Sequence, residues 1–157
     1  MKPYSLAREE GEAIWMFDAL DTIKADADQT GGAFSAVEFL DFEGSSVPLH
    51  VKHTRDGSFY ILAGEYTFVI AEETVAASSG TWIFVPRGTA HGWRCDSAQG
   101  RLLNITTPGG FERFYRQVGE PVSDRLHLPP PTEPDVESLS NAADEHGTTI
   151  VGPPPGA

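Results

Sequence analysis

Three side chains that can exchange protons near neutral pH occur in two short stretches of the sequence. His50 and Lys52 lie two residues apart in VPLHVKH, and His91 lies in GTAHGWRC. An imidazole titrates near neutral pH, and a lysine buried in apolar surroundings has a lowered pKa and can act as a neutral amine. Such a set could perform general acid–base chemistry, or the amine could attack a carbonyl carbon. We therefore name His50, Lys52 and His91 as candidate catalytic groups.

The stretches that carry these residues have the pattern of β-strands. Short runs rich in Val, Ile, Phe, Tyr and Thr recur between turn residues, which is typical of an all-β sandwich or barrel. Side chains alternate across a strand, so His50 and Lys52 are expected on one face. The predicted strands cover residues 33–42, 47–53, 58–63, 65–70, 73–77, 81–85, 90–95 and 101–107.

Three apolar residues are expected to line the same interior. Phe59 and Ile61 follow the turn at Gly57 on the predicted inner face, and Trp93 shares the face of His91. Such a lining suits a flat aromatic or polyketide-like ligand. We name them as candidate substrate-binding residues, with ordinary core packing as the alternative.

Two short helices and a change of composition follow the strands. Residues 111–118 place aromatic side chains at helical spacing, which predicts a helix packed on the barrel, and a second helix is predicted at about 135–145. Seven of the 12 prolines lie at or beyond residue 129. The chain is therefore divided into a domain at 1–128, with N-terminal strands and the helix near 110–118, and a Pro-rich extension at 129–157.

Composition narrows the range of partners. The chain has 157 residues and a net charge of −12, which argues against nucleic acid and anionic membranes and leaves a small molecule as the expected ligand. The single cysteine, Cys95, cannot form an internal disulfide. Acidic residues interrupt the amino terminus, and no 18-residue apolar run occurs, so we expect a cytoplasmic protein that is not inserted in a membrane.

The two stretches resemble the two signature motifs of the cupin superfamily. The first motif reads Gly, five residues, His-any-His, three or four residues, Glu, six residues, Gly, and is similar to Gly44–Gly64. The second reads Gly, five residues, Pro-any-Gly, two residues, His, three residues, Asn, and is similar to Gly80–Cys95. QTGGAFS at 29–35, TTPGGFERF at 106–114 and VGEPV at 118–122 resemble small quercetin dioxygenase-like cupins. The resemblance implies an all-β, antiparallel jelly-roll barrel with short C-terminal helices, an internal small-molecule site and a homodimer.

The resemblance also implies a metal site, from which this sequence departs. In the family, two His and the Glu of the first motif and the His of the second bind Fe, Mn, Ni, Cu or Zn. His50 and His91 match two of these ligands, but Lys52 and Gly57 stand at the other two positions. An ammonium is not a metal ligand, so no metal cofactor is favoured. If a metal does bind, His50, His91 and possibly His53 are the expected ligands.

Three functions follow as hypotheses. The first is a metal-independent enzyme or binder of an aromatic, flavonoid- or polyketide-like molecule, with Lys52, His50 and His91 moving protons in an isomerisation, cyclisation or dehydration. The second is a metal-dependent, quercetinase-like dioxygenase. The third is a cupin that binds a metabolite without catalysis. For Lys52 the structural alternative is an ammonium whose charge is satisfied by a carboxylate or a carbonyl.

Overall fold

Two antiparallel β-sheets make up most of the molecule. The computed structural model describes residues 1–156, so Ala157, the last residue of the predicted extension, lies outside the described residues. The larger sheet has seven strands in the order β11-β1-β2-β3-β10-β5-β8, and the smaller has five in the order β12-β4-β9-β6-β7. The strands are β1 (Glu12–Met16), β2 (Ala19–Ala25), β3 (Ser35–Phe42), β4 (Ser46–Lys52), β5 (Asp56–Ala63), β6 (Glu65–Ile70), β7 (Glu73–Ser78), β8 (Trp82–Val85), β9 (His91–Cys95), β10 (Gln99–Thr107), β11 (Glu120–Pro121) and β12 (Thr148–Ile150).

The expected all-β, cupin-type jelly-roll fold is confirmed. Each of the eight strands predicted within residues 33–107 is present, with bounds that differ by at most two residues. Alternating burial explains the agreement, since β10 buries every second side chain and β5 does so over most of its length. The two-residue strand β11 and the three-residue strand β12 are too short for a periodic pattern, and pairing with β1 and β4 defines them.

The core lies between the two sheets and is largely aromatic at its centre. The ring of Phe59 on the larger sheet lies 5.1 Å from that of Trp93 and 5.3 Å from that of Phe68, both on the smaller sheet. Both contacts are edge-to-face, the arrangement that the quadrupoles of aromatic rings favour, and each adds about 0.5–1.5 kcal/mol beyond area burial. These contacts join the inner faces of the two sheets.

Three helices accompany the sheets: α1 (Ala27–Thr30), α2 (Glu112–Val118) and α3 (Val136–Glu145). At the start of α2, the buried carboxylate of Glu112 accepts hydrogen bonds from the backbone N–H groups of Ala27 and Gly110, at 2.9 and 3.0 Å, and from the Ser35 hydroxyl. These bonds satisfy backbone donors that a helix start leaves free and tie α2 to the larger sheet. None of the helices in residues 1–156 has the length and apolar character needed to cross a membrane.

The C-terminal part of the chain packs on the same core. Helix α3 buries Ala142 and Ala143, both members of the main hydrophobic cluster. Strand β12 then pairs with β4, with Thr148 opposite Lys52 and Ile150 opposite His50. The Pro-rich segment from residue 129 onward therefore contributes side chains to the same hydrophobic core as the rest of the fold.

Candidate functional site

The two histidines of the candidate site face each other across neighbouring strands. His50 on β4 and His91 on β9 are register partners, and their ring centroids lie 4.3 Å apart. The register of β4 shifts between Val47 and His50, and a Cβ at Gly92 would lie only 2.7 Å from the Val47 carbonyl oxygen. Only glycine allows this close approach of the irregular β4 backbone to β9.

Backbone carbonyl groups orient both imidazoles. His50 Nδ1 lies 2.8 Å from the carbonyl oxygen of Pro48, and His91 Nδ1 lies 3.1 Å from that of Thr89. A carbonyl oxygen only accepts, so Nδ1 carries the proton in each ring and Nε2 is the acceptor nitrogen of the neutral form. The Nε2 atom of His91 is buried and has no hydrogen-bond partner among the described residues.

Burial keeps the two imidazoles neutral. Loss of solvation lowers the pKa of His91 to about 4. The pKa of His50 is well below its usual range, first because of burial and then because of the neighbouring His91 and Lys52. At neutral pH both rings are therefore uncharged and can accept a proton at Nε2.

The amine of Lys52 lies inside the fold without a carboxylate partner. Lys52 is 5% exposed and lines the main cavity. Its Nζ atom lies 3.0 Å from the ring centroid of Phe111, the residue just before α2. Within residues 1–156 it takes part in no ion pair, so no carboxylate satisfies its charge. Burial, and then the nearby Arg55 guanidinium, lower the pKa of Lys52 well below its usual value. The site therefore favours the neutral amine.

A cavity of about 840 Å³ connects these groups to a largely apolar interior. Its volume is within the range of about 300–1,000 Å³ typical of small-molecule sites. Phe59 and Trp93 line it, as do His50 and Lys52, whereas His91 contacts the His50 ring and is not among the lining residues. Ile61 is fully buried but is not among the lining residues, so it supports the core rather than contacting the cavity.

The donor atoms around His50 and His91 do not fit the four-ligand metal site that the cupin motifs imply. His53, the suggested third ligand, is exposed, and its Nε2 lies 2.9 Å from Thr149 Oγ1 on the outer side of the sheet. His53 directly follows β4, and the alternation of side chains along that strand directs it away from the face of His50. Among the described residues, no three His, Cys, Asp or Glu side chains are grouped so that they could hold a metal ion.

Sequence reasoning missed two further parts of the cavity wall. One is a set of carboxyl groups, Asp18, Asp21 and Asp41. For Asp21 and Asp41 the available signal was an acidic residue at an inward position of β2 and of β3, whereas Asp18 lies in the turn before β2. The other is the C-terminal segment, for which no local signal existed. Its lining residues are Thr132, Glu133, Pro134, Val136, Leu139, Ser140, Ala143, Thr148, Ile150, Gly152, Pro153 and Pro154.

Comparisons with known proteins agree with this fold. Residues 40–106 match the family model described as "Cupin domain". The chain is 30% identical over 132 residues to quercetin 2,3-dioxygenase of Bacillus subtilis (strain 168), an alignment that covers 84% of this chain but 38% of that protein.

Solved structures support the fold. KdgF from Halomonas sp. superposes with a TM-score of 0.64 at 16% identity, covering 72% of this chain and 99% of that chain. The polyketide cyclase RemF from Streptomyces resistomycificus has a TM-score of 0.60 at 23% identity, covering 68% of this chain and 80% of that chain. At such identities the likeness concerns the fold alone. Taken with the family-model match and the quercetin dioxygenase relative, it identifies a cupin domain at residues 40–106 within a cupin-type fold.

Proposed function

We propose that the chain binds a flat aromatic, flavonoid- or polyketide-like molecule in its cavity and catalyses proton transfer on it without a metal ion. One observation carries the proposal: the Lys52 amine, which no carboxylate neutralises, opens into the same aromatic-walled cavity as His50. The name of the Bacillus subtilis relative refers to quercetin, a flat phenolic molecule, which supports this ligand class.

The chemistry follows from the protonation states of the site. A neutral Lys52 amine accepts a proton from a carbon next to a ligand carbonyl or from a phenol, giving an ammonium and an enolate or phenolate. The new ammonium stabilises the anion beside it. Return of the proton to a different ligand atom completes an isomerisation, and the neutral Nε2 of His50 is a second acceptor within the cavity.

The test replaces Lys52 with methionine, which has similar length and no basic group. Binding of quercetin is followed by quenching of tryptophan fluorescence, and proton transfer by deuterium uptake at the carbon next to the carbonyl of the flavanone naringenin. We expect Lys52→Met to slow this exchange at least about tenfold while the exposed Lys2→Met control keeps the wild-type rate. Unchanged affinity and exchange in Lys52→Met would remove Lys52 from the mechanism, and binding without exchange by the wild type would indicate a non-catalytic metabolite-binding cupin.

A metal-dependent, quercetinase-like dioxygenase is the second candidate, and the similarity to quercetin 2,3-dioxygenase favours it. It requires Fe, Mn, Ni, Cu or Zn at a site whose donor set here is short of ligands. Plasma mass spectrometry on protein expressed with these metals discriminates the two. Near-stoichiometric metal together with chelator-sensitive oxygen consumption on quercetin would overturn the metal-independent proposal.

A further inference from the structure

Carboxyl groups line part of the cavity that the proposed proton transfer does not use. Asp21 on β2 is 1% exposed and Asp41 on β3 is 3% exposed, and both line the cavity together with Asp18. Their positions follow from the alternation of side chains along each strand. Asp21 lies on the same inward face of β2 as Ile23, and Asp41 lies on the same inward face of β3 as Phe39.

The hydrogen-bonding capacity of these carboxyl groups is only partly used. The phenolic O–H of Tyr66 donates to Asp41 Oδ2 at 2.7 Å. By contrast, Oδ1 of Asp21 is buried and has no hydrogen-bond partner among the described residues. In the same part of the chain neither Asp21 nor Asp41 forms an ion pair. A buried polar group without a partner destabilises a fold, so its presence beside a cavity points to a ligand that completes it.

Burial shifts the carboxyl groups toward their protonated form. It raises the pKa of Asp41 to about 7 and that of Asp18 to about 6. The pKa of Asp21 is raised well above its usual value by burial, and then by the neighbouring Asp41 and Asp18. Burial therefore favours the neutral carboxylic acid form of Asp21, which both donates and accepts a hydrogen bond.

Asp18, which lines the cavity with Asp21 and Asp41, lies at the opposite end of strand β4 from Lys52. Strand β4 connects the two regions: the backbone N–H of Ser46 at its start donates to Asp18 Oδ2 at 3.4 Å, and Lys52 is its last residue. Both strand ends line the cavity, and the six residue steps from Ser46 to Lys52 span at most about 20 Å when fully extended. Phe39, the register partner of Asp21, packs its ring 5.6 Å from that of Trp93, so aromatic side chains line the intervening part.

We propose that Asp21, supported by Asp41, forms a second recognition subsite that hydrogen-bonds an uncharged hydroxyl or carbonyl group at the end of the ligand remote from Lys52. This inference rests on the proposed function, because it specifies the ligand of the same cavity. It selects an elongated aromatic molecule with a polar, neutral substituent at one end and an acidic proton at the other.

Two flavonols provide the test. Quercetin and galangin share the ring system, but galangin lacks the two hydroxyl groups on the pendant ring. A neutral hydrogen bond contributes about 0.5–1.5 kcal/mol, or about 2- to 12-fold in affinity. We expect the wild type to bind quercetin at least about fivefold more tightly than galangin in fluorescence titrations near neutral pH.

Substitutions of Asp21 separate a neutral from a charged role. Asp21→Asn keeps a neutral donor and acceptor and is expected to retain the preference for quercetin, whereas Asp21→Leu is expected to reduce the affinity ratio to about one. Asp28→Leu, at an exposed position of α1, is the matched control and keeps the wild-type ratio. Loss of the preference in Asp21→Asn as well would overturn recognition by the neutral acid.

Infrared spectroscopy gives a measurement that does not depend on the leucine variant folding. Quercetin should shift the carbonyl stretch of a protonated carboxyl group in the wild type, and the shifted band should be missing in Asp21→Asn. Equal binding of both flavonols would overturn the subsite and leave the proposed function standing. Binding of neither flavonol would overturn the proposed function and the subsite with it.

Discussion

Lys52 and Gly57 stand where the cupin motifs carry a histidine and a glutamate, and the surroundings of Gly57 leave room for a Cβ atom. A Cβ added at Gly57 would meet its nearest neighbours, Phe59 and Asn104, at 3.5 Å or more, which is ordinary van der Waals contact. Asn104 and Phe59 both line the cavity, so a glutamate at 57 would begin on the cavity side. Two substitutions thus separate this chain from the family's full ligand set.

We predict that the double variant Lys52→His, Gly57→Glu gains a divalent metal site. His50 and His91 would then supply two of four ligands, with acceptor nitrogens that their backbone hydrogen bonds leave available. Plasma mass spectrometry of the purified variant should find close to one metal ion per chain, against much less in the wild type. Equal metal content in the two proteins would contradict this explanation of the substitutions.

The buried carboxyl group of Asp41 predicts a pH dependence of stability. Its pKa is raised from 3.8 to about 7, so the folded state holds a proton that the unfolded state releases above about pH 4. Its stabilising contribution is therefore complete below about pH 4 and is lost as the pH rises through 7. His91 acts in the opposite direction between about pH 4 and 6.5, since its pKa is lowered.

A comparison with Asp41→Asn isolates the effect of the carboxyl group from that of His91. We expect the melting temperature of the wild type, measured relative to this variant, to decrease as the pH rises from about 4 to 7 and to change little above pH 7. Calorimetric melting at several pH values measures the difference. A difference that stays constant over this range would show that Asp41 titrates normally.

At the scale of elements, the cavity depends on α3 and β12 as much as on the two sheets. Ala143 is 1% exposed, belongs to the main hydrophobic cluster and also lines the cavity. On the same helix Asn141 is exposed. The two positions therefore allow the same charge to be introduced on opposite faces of α3.

We predict that Ala143→Asp destabilises the protein while Asn141→Asp does not. An unpaired charge at a buried position costs several kcal/mol, and about 3–4 kcal/mol corresponds to a decrease of about 10 °C in melting temperature for a chain of this size. Thermal unfolding measures the decrease, and limited proteolysis should cut the C-terminal segment first. Equal melting temperatures for the two variants would mean that α3 does not contribute to the core.

At the scale of the whole molecule, the net charge of −12 affects self-association. The homodimer expected from the resemblance stays a prediction, and two such subunits repel each other electrostatically. Salt screens this repulsion, so we expect the dimer to dissociate less at high than at low salt. Sedimentation equilibrium at both salt concentrations measures the dissociation constant, and a monomer under all conditions would contradict the prediction.

Much of the fold could be read from local patterns in the chain. Along β5 and β10, buried side chains alternate with more exposed ones. A strand with one buried face shows this alternation among neighbouring residues, so a single sequence is enough to recognise it. The spacing of His50, Lys52 and His91 within two motifs indicated both the fold family and the residues of the candidate site. The aromatic positions of α2 likewise follow from helical spacing within one segment.

Other features depend on contacts between distant parts of the chain, and no local pattern contains them. Asp21 on β2 and Lys52 on β4 belong to different sheets, and they line the same cavity because the inward faces of the two sheets enclose it. Ile61 lies on the same face of β5 as Phe59, yet only Phe59 lines the cavity. Alternation along a strand predicts which face a side chain lies on. The packing of the two sheets, α2 and α3 decides which part of that face lines the cavity and which charged groups lose their contact with water.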